Sequence, residues 1–225
     1  MYIDPFYWYF ALPGIILTIL AQIYVKIVFS KYSKKDSGRE ITGLETAQLL
    51  AEREDFPVTI TTNQGDLNDH FDPIRDIVGI SRSNTTSSSI SNIAVVAHEF
   101  GHVEQKFSDS LIYKIRRIIV PVTEFGTKIG YVLFVIGIII SALRLSEIGL
   151  VFFSTSVLFS LIALPLEFDA SKRAMIFIEK YDLIAPQERG GAKSVLNAAA
   201  LTYVAGLLTS ILNLMYYISI LNRRR

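Results

Sequence analysis

Four long apolar stretches dominate this chain, and they leave it few ways to fold. Residues 6–29 (FYWYFALPGIILTILAQIYVKIVF), 118–143 (IIVPVTEFGTKIGYVLFVIGIIISAL), 148–166 (IGLVFFSTSVLFSLIALPL) and 195–221 (VLNAAALTYVAGLLTSILNLMYYISIL) each reach the roughly 20 residues that a helix needs to cross a hydrocarbon core. With 51% hydrophobic residues in 225, the chain is too apolar for an ordinary soluble domain. The first stretch opens on an aromatic cluster, which suits a membrane interface. It has neither a basic leader nor a small-residue cleavage motif, so a retained anchor is expected rather than a signal peptide. Only the short link Arg144–Glu147 separates the second stretch from the third, which makes them a hairpin. The Ala- and Gly-rich first half of the fourth points to close packing on a neighbouring helix.

The distribution of Lys and Arg sets the expected orientation. The basic segments Lys31–Arg39, Tyr113–Arg117 and Ser171–Met175 all fall on one side of a four-span chain, and the positive-inside rule makes that side cytoplasmic. The terminal Arg223–Arg225 run then stands on the outer side, against the rule. A formal net charge of +1, with no dense basic patch, gives no footing for nucleic acid. The chain has no cysteine. That excludes disulfides, cysteine-ligated zinc, iron–sulfur clusters and thiol nucleophiles, so any metal must be held by His, Asp or Glu.

Two polar segments, 30–117 and 167–194, are expected on the cytoplasmic side. Within the first, Thr42–Arg53 starts on a cap residue and has helical spacing. Phe56–Thr62 and Arg75–Ser83 read as short strands, Asn63–Pro73 as a turn-rich connector and Asn84–Ser89 as a polar loop. A further helix is expected over 91–107. Two strands beside a helix bury little, so this region must draw on the membrane helices for its core. The expected fold is a mainly α membrane protein of about four transmembrane helices with a small α+β domain.

The 91–107 helix carries His98, Glu99 and His102, an H-E-x-x-H pattern. Side chains at i and i+4 share a helix face, so both imidazoles can reach one ion. Glu99 lies beside them, where a carboxylate can take a proton from a water that the ion acidifies. Gly101 lets backbone or substrate come close. Catalytic zinc takes three protein ligands and leaves one position open. The 118–166 hairpin leaves the cytoplasmic side and returns to it at Leu164–Met175, where Glu167 is the first acidic residue and the candidate third ligand. Asp169 competes, but on a helix it points away from Glu167. Ser171 shares the Glu167 face at i+4 and is placed to support a ligand from behind.

The segments Asp69–Pro73 (DHFDP), Ala97–Gln105 (AHEFGHVEQ), Leu164–Ala174 (LPLEFDASKRA) and Val195–Ala205 (VLNAAALTYVA) together resemble the bacterial membrane-bound neutral zinc metallopeptidases of the YugP type. That resemblance runs nearly end to end. It implies a zincin-like domain, a Zn2+ cofactor and a place in the bacterial cell membrane. The site is also similar to that of gluzincins with helices inserted between the histidines and a glutamate, in which an E-x-x-A-D stretch supplies the third ligand. Glu167 and Ala170 match that stretch, whereas Ser171 stands in place of the aspartate. Orientation of a histidine ligand then falls to Asp169 or Ser171.

His70, Arg173 and Tyr203 are the remaining donors for substrate or a developing oxyanion. His70 is drawn in because the strand Arg75–Ser81 follows it, and that strand could pair with an extended peptide by edge addition. The expected activity is a membrane-bound zinc metalloendopeptidase, with peptides or proteins, membrane proteins included, as substrates and the bilayer as its setting. Two alternatives stay open. One is a non-catalytic scaffold or adaptor with a structural metal site, which would need a fourth protein ligand. The other is an intramembrane site-2-type protease, which would need the His98 helix to be a span.

Overall fold

The computed structural model describes residues 6–65 and 68–224. Asp66 and Leu67 of the expected connector, and Arg225 of the terminal arginine run, lie outside the described residues. The chain is mainly helical. Helix α1 covers Tyr7–Tyr32 and α2 Gly43–Arg53. Strands β1 (Thr59–Asn63), β2 (His70–Asp72) and β3 (Ile77–Ser81) come next. Helices α3 (Arg82–Thr86), α4 (Ile90–Phe107), α5 (Leu111–Ile139), α6 (Leu143–Lys180) and α7 (Arg189–Asn222) complete the order. Helices α1, α5, α6 and α7 contain stretches long and apolar enough to cross a membrane, and α4 is not among them.

The chain divides into two compact units. One takes in the chain up to Gln22, Lys114–Pro165 and the chain from Leu201. Its α5–α6 hairpin is built on small residues: a Cβ on Gly130 would meet Phe153 N at 2.4 Å, and one on Gly149 would meet Phe134 N at 2.4 Å. Backbones this close gain dispersion contacts that apolar burial cannot supply in lipid.

The other unit comprises Ile23–Tyr113 and Leu166–Ala200. Helix α2 begins on a capping box: Thr42 Oγ1 accepts from Glu45 N, and Glu45 Oε2 accepts from Thr42 N at 2.8 Å. Ser89 caps α4 by accepting from Asn92 N. The apolar face of α4 then buries Ile93, Ala97 and Phe100 against Leu50 of α2 and Val78 and Ile80 of β3. Phe177 and Ile178 of α6 and Leu196 of α7 close this core, so the membrane-length helices do supply what the small sheet lacks. Each such large side chain contributes about 2 kcal/mol on burial.

The structure differs from expectation in four places, each with a local cause. The connector contains a third strand, β2, which was hidden because His-Phe-Asp is too short to show alternation. Sheet order is β1-β3-β2, with β1 parallel and β2 antiparallel to β3. The strand read as a free edge, β3, is therefore the central one. Asn84–Thr86 of the expected polar loop belong to α3. Helix α6 does not end at Leu166 but runs on to Lys180, because Ala170, Ala174, Phe177 and Ile178 keep a helical apolar stripe buried in the second unit.

Candidate metal centre

Helices α4 and α6 come together at one point where a side chain would not fit. A Cβ on Gly101 would lie 2.3 Å from the carbonyl oxygen of Ala170. Glycine thus allows backbone of α6 to approach α4 directly, and Ala170, fully buried, presents no bulk in return. The polar groups stand close to this contact: His102 directly follows Gly101, and His98 and Glu167 each lie three residues before it on their own helices. His98 and His102 extend from α4 and Glu167 from α6. Their ligand atoms all lie within 4.8 Å of one another.

Both imidazoles turn the same nitrogen inward. Glu167 Oε2 is 3.2 Å from His98 Nε2 and 3.5 Å from His102 Nε2. The rings meet edge to face, at 84° with centroids 4.8 Å apart. Two imidazole nitrogens and a carboxylate are a donor set that zinc takes readily as three ligands of a four-coordinate site. Among the described residues this group holds three protein ligands and no fourth. A closed structural site would require one.

Behind the ligands, the outward nitrogens are also held. Ser171 Oγ lies 3.2 Å from His98 Nδ1, so the serine occupies the supporting place that an aspartate takes in the E-x-x-A-D pattern. Gln105 Oε1 lies 3.0 Å from His102 Nδ1. Asp169 is not at the metal group; its Oδ2 accepts from Gln105 Nε2 at 2.9 Å and from Arg173 Nε at 2.7 Å.

Glu99 projects from α4 toward the sheet, and its Oε2 accepts from Phe71 N of β2 at 2.9 Å. Burial pushes its carboxyl up to about 7. Glu167 and Asp69 nearby add to the rise, while His98 and the Phe71 N–H oppose it. Strand β2 is itself latched in place by Asp69, whose carboxylate accepts from Ser81 N, Ser81 Oγ and Asn84 Nδ2 at 2.7–2.8 Å. The edge strand therefore carries the backbone donor that holds Glu99.

Of the three further donors, His70 and Arg173 are not gathered with these groups. His70 is exposed on β2, where its Nδ1 lies 3.1 Å from Asn68 O and its ring sits over Gly79 of β3. The Arg173 guanidinium is taken up by Asp169, by Glu104 at 3.2 Å and by Ser108. Tyr203 belongs to the other compact unit. Sequence reasoning missed Gln105, the Phe71 N–H and the Asp69 latch. A glutamine three residues beyond His102 was a usable signal for the first. A backbone donor leaves no trace in side-chain identity.

Three comparisons bear on this arrangement. A family model described as "Putative neutral zinc metallopeptidase" matches residues 7–222. A curated relative, "Putative membrane protease YugP" of Bacillus subtilis (strain 168), is 38% identical over 205 residues, covering 91% of this chain and 91% of the relative. No solved structure matches the chain.

Proposed function

Since the chain belongs to the neutral zinc metallopeptidase family, we propose that it is a membrane-bound metalloendopeptidase that hydrolyses peptide bonds at the cytoplasmic surface. The observation that carries this reading is the juxtaposition of His98, His102 and Glu167 with a separate carboxylate, Glu99, one residue along α4. We assign His98 Nε2, His102 Nε2 and the Glu167 carboxylate as zinc ligands. Bound there, zinc would supply an acidified water and an electrophilic centre for the scissile carbonyl.

The chain's own groups do the rest. Glu99 takes a proton when water is activated and returns it to the leaving amine. A carboxyl near pH 7 is well matched to both tasks. The Phe71 N–H steadies Glu99 between them. Apart from the Phe71 N–H that Glu99 takes, the outer edge of β2 offers backbone to an extended substrate and replaces β3 in the edge-addition role. His70, exposed on the same strand, is assigned to substrate contact. With Arg173 committed to Asp169 and Glu104, its role is support of the site rather than contact with an oxyanion. The cytoplasmic assignment rests on the basic segments at 31–39, 113–117 and 171–175. Both polar regions, 30–117 and 167–194, lie on that side in this reading.

The test is metal analysis and cleavage of an unfolded protein substrate in detergent, comparing the parent with Glu99→Gln. Zinc retained with cleavage lost supports the enzyme. Cleavage that survives Glu99→Gln would overturn it. Sidedness is read by single-cysteine labelling at Lys106, in a chain that has no cysteine of its own.

A further inference from the structure

Gln105 is wholly buried, and all three of its polar positions are assigned. Its Nε2 sits 2.8 Å from Leu166 O and 2.9 Å from Asp169 Oδ2. Both of those are acceptors, so the NH2 of the amide must face them. The oxygen is then forced toward His102, 3.0 Å from Nδ1. A carbonyl oxygen only accepts, so Nδ1 must carry a proton, and in the neutral ring Nε2 is then the nitrogen whose lone pair is open to a metal. Asp169 is in turn fixed by Arg173 Nε at 2.7 Å, and Arg173 by Glu104 at 3.2 Å. The chain of contacts runs from the rim of the unit to one ligand.

His98 is held differently. Among the described residues its Nδ1 meets the Ser171 hydroxyl alone, which can donate or accept and so selects no tautomer. The two outer partners are thus unequal: Gln105 fixes which nitrogen of His102 is protonated, whereas Ser171 leaves that choice at His98 to what faces Nε2, here Glu167 Oε2 at 3.2 Å.

We infer that Gln105 is a positioning residue for the metal centre, locking His102 into the Nε2-ligating tautomer, and that Asp169 acts on His102 only through the Gln105 amide. This rests on the assignment of His102 as a zinc ligand in the proposed function. It goes beyond that reading by naming which outer groups set metal affinity and in what order. Outer partners of a metal-bound histidine commonly change affinity 10- to 100-fold.

The experiment uses the full chain in detergent, with zinc affinity measured by competition against a chromophoric chelator. The cobalt-substituted protein's visible absorption serves as a second readout. Gln105→Ala is expected to weaken zinc roughly 10- to 100-fold and to shift the cobalt bands. Ser171→Ala is expected to weaken it less. Asp169→Ala should weaken zinc several-fold in the parent background and have no further effect in a Gln105→Ala background.

Unchanged zinc affinity in Gln105→Ala, or additive losses in the double variant, would sink the inference. If Gln105→Ala does not fold, Asp169→Ala alone decides it, because Asp169 is partly exposed and its loss leaves no hole in the core. In that case, parent-like affinity for Asp169→Ala overturns the proposal. Failure of the enzyme reading looks different: a parent that binds zinc tightly but whose cleavage survives Glu99→Gln loses the reaction and keeps this inference. A parent that binds no zinc loses both.

Discussion

In the proposed reaction Glu99 faces two opposed demands: it must be ionised to accept a proton, yet its surroundings favour the neutral form. Its folded pKa of about 7 stands above its ordinary 4.5. Its protonated state therefore favours the fold of the metal-free protein below about pH 4.5, and that contribution is lost as pH rises through about 7. At 1.36 kcal/mol per unit, the difference amounts to about 3 kcal/mol. Metal-free Glu99→Gln should accordingly be more stable than the metal-free parent by about 3 kcal/mol at pH 8, and indistinguishable from it at pH 4, as read by denaturant unfolding. With zinc bound, the same variant should keep its metal and lose 10²- to 10⁴-fold in turnover. The spacing of His98, Glu99 and His102 was legible because helix geometry turns i, i+4 into one face. Gln105 left only its spacing from His102 as a signal, because a glutamine is ordinarily a surface residue and only the fold surrounds it with Leu166, Asp169 and His102.

At the scale of elements, the site depends on how closely α4 and α6 approach. Gly101→Ala would put a methyl 2.3 Å from Ala170 O. The helices must then part, at an expected cost of about 1–3 kcal/mol. Glu167 would draw back from His98 and His102, so zinc affinity should fall along with the melting temperature. A loss of stability with zinc affinity intact would show that the contact does not set the ligand distance. The sequence showed a glycine at a point of close approach, but what approaches it is 69 positions away on α6 and was visible only as an Ala in a matching motif. Strand β2 was unreadable for a different reason: three residues give no periodicity, and its pairing comes from β3 and the Asp69 latch rather than from its own propensity.

The four membrane-length helices were legible because lipid leaves the backbone no other partner than itself. The extent of α6 was not, since its last turns are amphipathic and their partner, α4, is remote in sequence. Because the metal group joins α4 to α6, loading it should stabilise the unit that carries it. At free zinc a thousandfold above Kd, about 4 kcal/mol is expected, seen as a higher melting temperature that a chelator abolishes. The brevity of β2 has one more consequence, for what kind of protease this would be. At about 3.3 Å per residue, an edge three residues long offers a guest chain some 10 Å of ladder. Little of the guest's sequence can be read over that length. Selection would then fall on whether a segment is slack enough to be laid down at all, and cleavage maps of unfolded proteins should show preference at about three positions and indifference beyond them.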